Sequence, residues 1–379
     1  MLSSDLFLPA LPAIASALAV PVAATQRLFD SYFAGLALSL LVCGPLSDRH
    51  GRRRPLLAAL ALHAAASLAM AGAHDLATLS ACRFAQGLAS GIPVALWRSI
   101  AFDALPLEAA TRAISVVVPV MVVSPALAPI VGEWIAALAG WRAIFAALAG
   151  VGALAFLLTW GFVPETHRPA PAGGAARQSM SSWLALARSR RFVSFCALAC
   201  AAYAAYFLYL FQAPLLLLAL GYTPRAISYA YLPVTAGFVL GSAVGRRLAP
   251  RAGDRAIVTA GTALFAAGAV LLAGWGVAGR PLGAAGLLLA AALLVAANGT
   301  LLTIGVARAM AQFPTLRGTS SALLGFSQAA VTALMVGRMS RLNEVLPQAR
   351  SLSIMIGACL LLAMAALWVY RRAITDTSS

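Results

Sequence analysis

The chain has 379 residues, of which 62% are hydrophobic and only 10% are charged, and its mean hydropathy is +0.90. A soluble globular domain does not reach this apolar content, so the composition predicts a polytopic membrane protein instead. All 27 basic residues are arginines, and the formal net charge is +16. Because the arginines cluster at the ends of apolar runs, they indicate membrane anchoring rather than nucleic-acid binding.

Runs of about 20 apolar residues, each long enough to cross a bilayer as a helix, recur along the whole sequence. They predict twelve spans, the first of them short, at about 5–20, 28–47, 55–72, 76–102, 113–138, 142–163, 192–218, 226–248, 255–276, 282–309, 318–341 and 350–370. A polar stretch between the sixth and seventh spans has the composition of a linker. We therefore predict an all-α membrane fold of two pseudo-symmetric six-helix bundles, at 1–163 and 192–379, joined by a cytoplasmic linker at 164–191.

The first span is the weakest of the twelve. The segment Leu6–Val20 has only 15 residues, and Pro9 and Pro12 interrupt it. Two interpretations remain open: a tilted helix in a thinned bilayer, or a sequence that begins inside the helix, which is the interpretation we favour. If both termini are cytoplasmic, eighteen arginines fall on the inner side and seven on the outer side. This positive-inside bias predicts cytoplasmic termini.

A charged segment, Gly44–Pro55, lies between the second and third spans and is predicted to be a loop. Its pattern Gly-x-x-x-Asp-Arg-x-Gly-Arg-Arg consists of Gly44, Asp48, Arg49, Gly51, Arg52 and Arg53. A plain positive-inside loop explains the arginines but does not need the glycines or the aspartate. We expect Asp48 to favour the N-terminus of a facing helix near Gly318, so that the segment acts as an inner gate. A partial copy at Gly241–Arg251 hints at an internal repeat.

These features together resemble the major facilitator superfamily, whose first signature is the pattern in Gly44–Pro55. Arg83–Gly87 resembles the second signature of the superfamily. Three further stretches are similar to the Bcr/CflA type of drug-resistance transporter within it: Asp5–Pro12, Pro125–Gly132 with Trp141–Phe145, and Gly318–Phe326. The resemblance implies proton-coupled export of drug-like molecules across a bacterial inner membrane. It also implies that Pro125, Pro129 and Gly132 form the antiporter kink of span five.

Asp5 and Arg83 are the candidate proton-coupling residues. A carboxyl group in an apolar helix is costly when charged, so it favours proton uptake and can exchange the proton for a drug. The alternative for Asp5 is a helix cap exposed to water. Arg83 lies inside span four, where an arginine needs partners. The resemblance implies contacts with span one, and the alternative is a structural hydrogen bond to backbone carbonyls.

Polar and aromatic residues along four spans are candidates for the substrate cavity, because drug sites are mostly apolar with few polar anchors. They are Gln86, Tyr203, Tyr206, Phe207, Gln212, Asn298 and Phe326. The alternative is that the aromatic side chains face lipid. Arg98, Asp103 and Glu133 are predicted to lie near the membrane interface, and His63 is predicted to be a packed, neutral side chain.

No metal-ligand spacing, phosphate-binding loop or dinucleotide turn occurs in the sequence. We therefore expect no enzyme activity and no cofactor, with the proton gradient as the energy source. The expected partners are a drug-like small molecule, protons and the lipid bilayer, without nucleic acid, for a protein that acts as a monomer. Two alternatives remain open: a metabolite exporter or importer of the same superfamily, and a truncated membrane protein that does not transport.

Overall fold

The computed structural model describes residues 2–166, 184–278, 283–311 and 317–375, and this part of the chain contains helices and turns but no β-strand. The chain divides into two compact units, Met1–Ser181 and Ser182–Ser379. The helices of the first unit are α1 (Leu2–Asp5), α2 (Leu11–Ala17), α3 (Arg27–His50), α4 (Arg53–Ala71), α5 (Leu76–Ala104), α6 (Leu107–Ala139) and α7 (Trp141–Phe162). Short 3₁₀ turns at Leu8–Ala10 and Val22–Gln26 lie between the first three of them.

The second unit is also helical where it is described. Its helices are α8 (Arg190–Ala219), α9 (Pro224–Tyr229), α10 (Tyr231–Ala278), α11 (Gly283–Ala311), α12 (Arg317–Val345) and α13 (Gln348–Thr375). The long α10 is interrupted at Gly253, whose φ of 73° is not helical, so α10 consists of two helices in series. The predicted spans at 226–248 and 255–276 lie on either side of this break.

Eight helices in the described residues are long and apolar enough to cross a membrane. They are Val22–Gly44, Arg53–Ala71, Trp141–Phe162, Arg190–Ala219, Pro224–Leu248, Arg255–Gly276, Gly283–Val306 and Gln348–Arg372. Each coincides with one of the twelve predicted spans. Because a soluble protein has no use for eight such helices, the protein is a multi-pass membrane protein.

Three further predicted spans are also long helices in the structure. The helices α5, α6 and α12 have 29, 33 and 29 residues, which is enough length to cross a bilayer. The polar side chains of Arg83 and Gln86 lower the mean hydropathy of α5.

The predicted first span, 5–20, is not one continuous helix. It is divided into the end of α1, a 3₁₀ turn at Leu8–Ala10 and the short helix α2. Pro9 and Pro12 each occupy one of the first two positions of the element that they begin. Proline is tolerated there because its missing N–H is not needed in a first turn, whereas within a helix it would break a hydrogen bond.

The prediction of a loop at Gly44–Pro55 is wrong. The chain from Gly44 to His50 continues α3, and α4 begins at Arg53. The reversal is made at Gly51, whose φ of 79° lies in the left-handed region that favours glycine. Most of the charged segment therefore lies on the last two turns of a helix.

The helices α3 and α5 pack backbone against backbone in the first unit. A side chain at Gly87 would collide with the carbonyl oxygen of Tyr32, and one at Gly35 would collide with that of Phe84. Such close packing of small residues is how membrane helices associate where no hydrophobic force drives them together. It brings the middle of α5, including Arg83, against the start of α3.

Candidate functional site

Asp5 is the last residue of α1, and its side chain is only 2% exposed. The side chain of Ser4 hydrogen-bonds the carboxylate, but the oxygen Oδ1 is buried without a hydrogen-bond partner among the described residues. The side chain is thus not the water-exposed cap of the alternative prediction. A buried carboxylate oxygen of this kind is costly unless it takes up a proton or a ligand. Asp5 therefore has the chemistry that a proton-coupling group requires.

Arg83 is completely buried and holds the first segment of the chain against α5. Its Nη1 donates to the carbonyl oxygen of Ser3 at 2.7 Å and to Oε1 of Gln86 at 2.5 Å. Its Nε donates to the carbonyl oxygen of Leu28 at 3.4 Å. Arg83 therefore binds backbone carbonyl oxygens, as one of the two interpretations predicted. One of these carbonyls belongs to α1, at the start of the predicted first span, so the contact with that segment is present as well.

Two aromatic rings cover the guanidinium group of Arg83. Its central carbon lies 4.2 Å from the ring centroid of Phe7 and 4.7 Å from that of Tyr32. Cation–π contacts of this kind are strongest where water is excluded. Phe7 is itself fully buried and stacks on Phe29 with a centroid distance of 4.9 Å. The charge is therefore stabilised by rings from two segments that are distant in sequence from α5.

Asp5 and Arg83 are not hydrogen-bonded to each other. The guanidinium nitrogen Nη2, like Oδ1 of Asp5, is buried without a hydrogen-bond partner in the described part of the chain. Asp5 and Arg83 thus each have one unsatisfied polar atom, on groups of opposite charge. Catalytic and binding hydrogen bonds are often incomplete before a ligand is bound.

A chain of hydrogen bonds extends from Arg83 through Gln86 to α4. Nε2 of Gln86 donates to the hydroxyl of Ser67 at 2.7 Å, and this hydroxyl donates to the carbonyl oxygen of His63 at 2.7 Å. His63 Nε2 in turn lies 2.8 Å from the hydroxyl of Ser3. Gln86, predicted to line a cavity, is fully buried here and orients Arg83. Sequence reasoning missed Ser3 and Ser67, which carry no motif.

The proline-containing helix α6 packs directly on the backbone next to Asp5. A side chain at Gly132 would collide with the carbonyl oxygen of Leu6, so only glycine fits at this position. Pro129 is buried on the same helix, whereas Pro125 is partly exposed. The stretch Pro125–Gly132 therefore provides a packing surface for the segment that contains Asp5.

The charged segment between α3 and α4 makes its described contacts inside the first unit. The Glu165 carboxylate accepts hydrogen bonds from the backbone N–H groups of Arg52 at 2.8 Å and Arg53 at 3.2 Å, which caps the start of α4. A Cβ at Gly51 would collide with this carboxylate. Glu165 was missed because an N-cap normally lies beside its helix in sequence, and this one lies more than 100 residues away.

Two arginines of this segment bind the ends of other helices. Arg52 pairs with Asp103 at 2.5 Å, and Nη2 of Arg53 donates to the carbonyl oxygen of Trp160 at 2.7 Å near the end of α7. Cations are favourable at such helix C-termini. Arg49 is exposed, and the side chain of Asp48 lies outside the described residues. The expected capping of a helix near Gly318 involves undescribed residues and stays a prediction.

Gly44 of the charged segment is not needed for close helix packing within the first unit. A methyl group at Gly44 would meet no described atom of this unit within 4 Å. The glycine of the partial repeat behaves differently, since a Cβ at Gly241 would collide with the carbonyl oxygen of Ala296 in α11. The two glycines therefore do not play matching roles in their own units.

An aromatic cluster on α8 forms part of the interior of the second unit. The ring of Phe207 lies 4.8 Å from that of Tyr203 and 5.1 Å from that of Tyr206, measured between centroids. Phe207 is buried, and the two tyrosines are partly exposed. Because tyrosine presents an apolar ring and a polar hydroxyl, the cluster is suited to amphipathic small molecules.

Two amide side chains of the predicted cavity are also buried in the second unit. Gln212 on α8 is fully buried, and its Oε1 accepts a hydrogen bond from Nδ2 of Asn343 at 3.2 Å. Asn298 on α11 is 2% exposed, and its Oδ1 has no hydrogen-bond partner among the described residues. Phe326 on α12 is partly exposed. Asn343 was missed because a single asparagine near a helix end gives no signal.

Solved structures of transporters share the fold of this chain. A crystal structure of a D-xylose-proton symporter matches with a TM-score of 0.78 at 16% identity, over 97% of this chain and 94% of that one. A bacterial homolog of the human lysosomal transporter Spinster, in an inward-facing and occupied conformation, matches with a TM-score of 0.72 at 16% identity, over 99% and 93%. At this identity the likeness establishes the fold alone.

Curated bacterial relatives match a shorter part. A bicyclomycin resistance protein homolog of Haemophilus influenzae is 30% identical over 164 residues, which are 43% of this chain and 41% of the relative. The multidrug resistance protein MdtL of Shewanella oneidensis is 34% identical over 166 residues, 44% of this chain and 42% of the relative. The matches thus span about two fifths of the relatives' length.

The family model of the Major Facilitator Superfamily matches residues 1–336, which is most of the chain. The resemblance inferred from the charged segment and the Asp5 and Arg83 stretches is thereby confirmed at the level of the superfamily. The transporter folds of the solved structures agree with it. The chain belongs to the Major Facilitator Superfamily of membrane transporters.

Proposed function

We propose that this transporter exports drug-like small molecules in exchange for protons, with Asp5 as the proton-binding group. The proposal is supported by the similarity to relatives that are named as drug-resistance proteins. It rests above all on one observation in the chain itself. The buried carboxylate of Asp5 has an oxygen without a hydrogen-bond partner in the described residues, and the buried Arg83 has an equally unsatisfied nitrogen.

In the proposed mechanism, Asp5 binds either a proton or a polar group of the substrate. Burial disfavours the charged carboxylate, so uptake of a proton relieves the cost of an unsatisfied oxygen. A cationic or hydrogen-bonding substrate relieves the same cost and therefore displaces the proton. Arg83 keeps the first segment in place through Ser3 and Phe7 while this exchange occurs. Binding of one ligand thus excludes the other, as antiport requires.

Alternating access and a proton gradient complete the proposal. A site that opens to one side of the membrane at a time converts competition at Asp5 into exchange across the bilayer. One charge moving through 100 mV supplies about 2.3 kcal/mol, which concentrates a neutral drug roughly 40-fold. This source of energy needs no cofactor.

We further propose the architecture and location that go with this function. The chain forms twelve transmembrane helices in two six-helix bundles, in a bacterial inner membrane, with both termini cytoplasmic. The eight strongly apolar helices and the three other long helices α5, α6 and α12 support this count, together with the divided first segment. The protein acts as a monomer, with the aromatic and amide residues of the second unit as further substrate contacts.

The test uses inside-out membrane vesicles that contain the full chain. A respiratory substrate acidifies their interior, and a lumenal pH dye then follows proton release when chloramphenicol or bicyclomycin is added. We expect drug-dependent alkalinisation of the lumen and drug accumulation that a protonophore abolishes. Vesicles without the protein provide the baseline. Accumulation that persists in the presence of the protonophore, or no accumulation above the baseline, would contradict the proposal.

A further inference from the structure

A groove between α12 and α13 carries charges that the proposed transport function does not use. Its volume is about 450 Å³, and its lining residues are Leu334, Met335, Arg338, Arg341, Leu342, Met355 and Ala358. All of them belong to the described part of the second unit. Five of the seven are apolar and two are cationic, so the groove is amphipathic.

The charged and apolar parts of the groove lie at different depths. Arg338 and Arg341 are seven and four residues from the end of α12 at Val345, or about 10 and 6 Å along the helix axis. Leu334 lies a further turn inward, and Ala358 lies inward on α13. Residues three apart share one face of a helix, so the two guanidinium groups are neighbours. The mouth of the groove is therefore cationic and its inner part is apolar.

The two arginines are available to an external anion. Both are exposed, and neither makes a hydrogen bond or ion pair within the described residues. From Arg338 to Arg350 the sequence has three arginines and one acidic residue, Glu344. Arg350 is engaged elsewhere, since its Nε donates to the carbonyl oxygen of Gly276 at 3.3 Å. An excess of positive charge therefore remains at the mouth of the groove.

We propose that this groove is a binding site for an anionic phospholipid. The phosphate binds Arg338 and Arg341, because planar guanidinium groups match phosphate oxygens with paired hydrogen bonds. One acyl chain lies along Leu334, Met355 and Ala358, where Leu334 is 56% exposed and needs an apolar partner in the bilayer. The negative charge of the lipid headgroup complements the cationic mouth of the groove, and the acyl chain complements its apolar inner part.

The test is native mass spectrometry of the full-length protein from detergent micelles that contain equal amounts of dioleoyl phosphatidylglycerol and dioleoyl phosphatidylcholine. We expect the wild-type protein to retain the anionic lipid in preference to the zwitterionic one. Arg338→Gln with Arg341→Gln should weaken this preference roughly ten- to thirty-fold, from the usual contribution of a basic residue to anionic-lipid binding. An unchanged preference in the double variant would overturn the proposal.

Two controls separate the groove from general charge. Arg246→Gln with Arg247→Gln removes the same charge from two exposed arginines on α10, outside the groove, and should change retention less than about twofold. Ala358→Phe fills the apolar part and keeps both arginines, so it should also reduce retention of the anionic lipid. The proposal fails if the α10 double variant loses as much retention of the anionic lipid as the groove double variant does. It also fails if Ala358→Phe retains the full wild-type preference for the anionic lipid.

Discussion

The interiors of the two units differ in the kind of polarity that they bury. The described interior of the first unit contains two full charges, Asp5 at 2% exposure and Arg83 at 0%. The buried polar residues described in the second unit are neutral amides and hydroxyls, among them Gln212 and Asn298. A buried charge is far more costly than a buried amide and persists where it has a function. The difference supports our proposal that proton chemistry belongs to the first unit and neutral recognition to the second.

The largest expected effect comes from removing the buried arginine. Arg83→Leu leaves the carbonyl oxygen of Ser3 and Oε1 of Gln86 without their hydrogen-bond donor. It also replaces the cation that contacts two aromatic rings with an apolar side chain. We expect a loss of about 3–5 kcal/mol in the free energy of unfolding, measured by denaturation in detergent. Gln212→Leu in the second unit should cost about 1–2 kcal/mol, because a neutral bond is lost. Equal losses of unfolding free energy in the two variants would contradict the difference between a buried charge in the first unit and a buried amide in the second.

A second prediction concerns the surface that holds Asp5 in place. Gly132→Val should destabilise the first unit by at least about 1–3 kcal/mol, because the new side chain collides with the Leu6 backbone. It should also impair transport, since Leu6 adjoins Asp5. Gly44→Ala is the matched control and should be neutral or stabilising by about 0.5–1 kcal/mol, as alanine favours helix. Thermal unfolding and vesicle transport of both variants provide the measurements.

A third prediction tests the contacts of the charged segment within the first unit. Glu165→Ala removes the carboxylate that caps α4 and should cost about 0.5–2 kcal/mol. Asp103→Ala removes only a partly exposed ion pair with Arg52 and should cost less than about 1 kcal/mol. Both are measured by denaturation of the purified protein. A larger loss for Asp103→Ala than for Glu165→Ala would show that the ion pair, not the cap, stabilises the segment.

The smallest effect compares a charged helix cap with a neutral one. Hydrogen bonds from the backbone and side chain of Thr78 hold the pKa of Asp75 below its ordinary value. The cap of α5 is therefore fully present above the ordinary pKa of aspartate and is lost as the pH falls through the lowered one. Ser189, which caps α8 by accepting from the Phe192 N–H, is neutral and should show no such dependence.

Amide hydrogen exchange between pH 6 and pH 3 measures this difference. Protection of the Thr78 amide should fall at the acid end, after correction for the intrinsic rate, whereas that of the Phe192 amide should not. Asp75→Asn keeps an oxygen for the cap and should remove the pH dependence. Acid sensitivity of the Phe192 amide would show that the change is not specific to the charged cap.

The sequence predicted those features that depend on composition and local pattern. Apolar runs of about 20 residues located the strongly apolar helices. The motif residues indicated the superfamily, and the rarity of a buried arginine singled out Arg83. These inferences needed no knowledge of distant contacts, because hydropathy and motif spacing are local properties.

The features that the sequence did not predict depend on contacts between distant segments. The Glu165 carboxylate caps a helix that begins 112 residues earlier, and Gly132 matters only because Leu6 packs on it. Ser67 supports Gln86 without any motif of its own. The loop predicted at Gly44–Pro55 is mostly helix, because the mostly polar or small residues from Gly44 to His50 extend α3 beyond its apolar part. Charge density alone does not distinguish a loop from a helix end.

Drug-induced proton release by Asp5→Asn tests the central claim most directly. Asparagine preserves the size of the side chain but cannot take up a proton at neutral pH. The account predicts that inside-out vesicles with this variant insert normal amounts of protein and release no protons when drug is added. Asp75→Asn, an exposed aspartate at the start of α5, is the matched control and should behave as wild type. Wild-type proton release by Asp5→Asn would contradict the account.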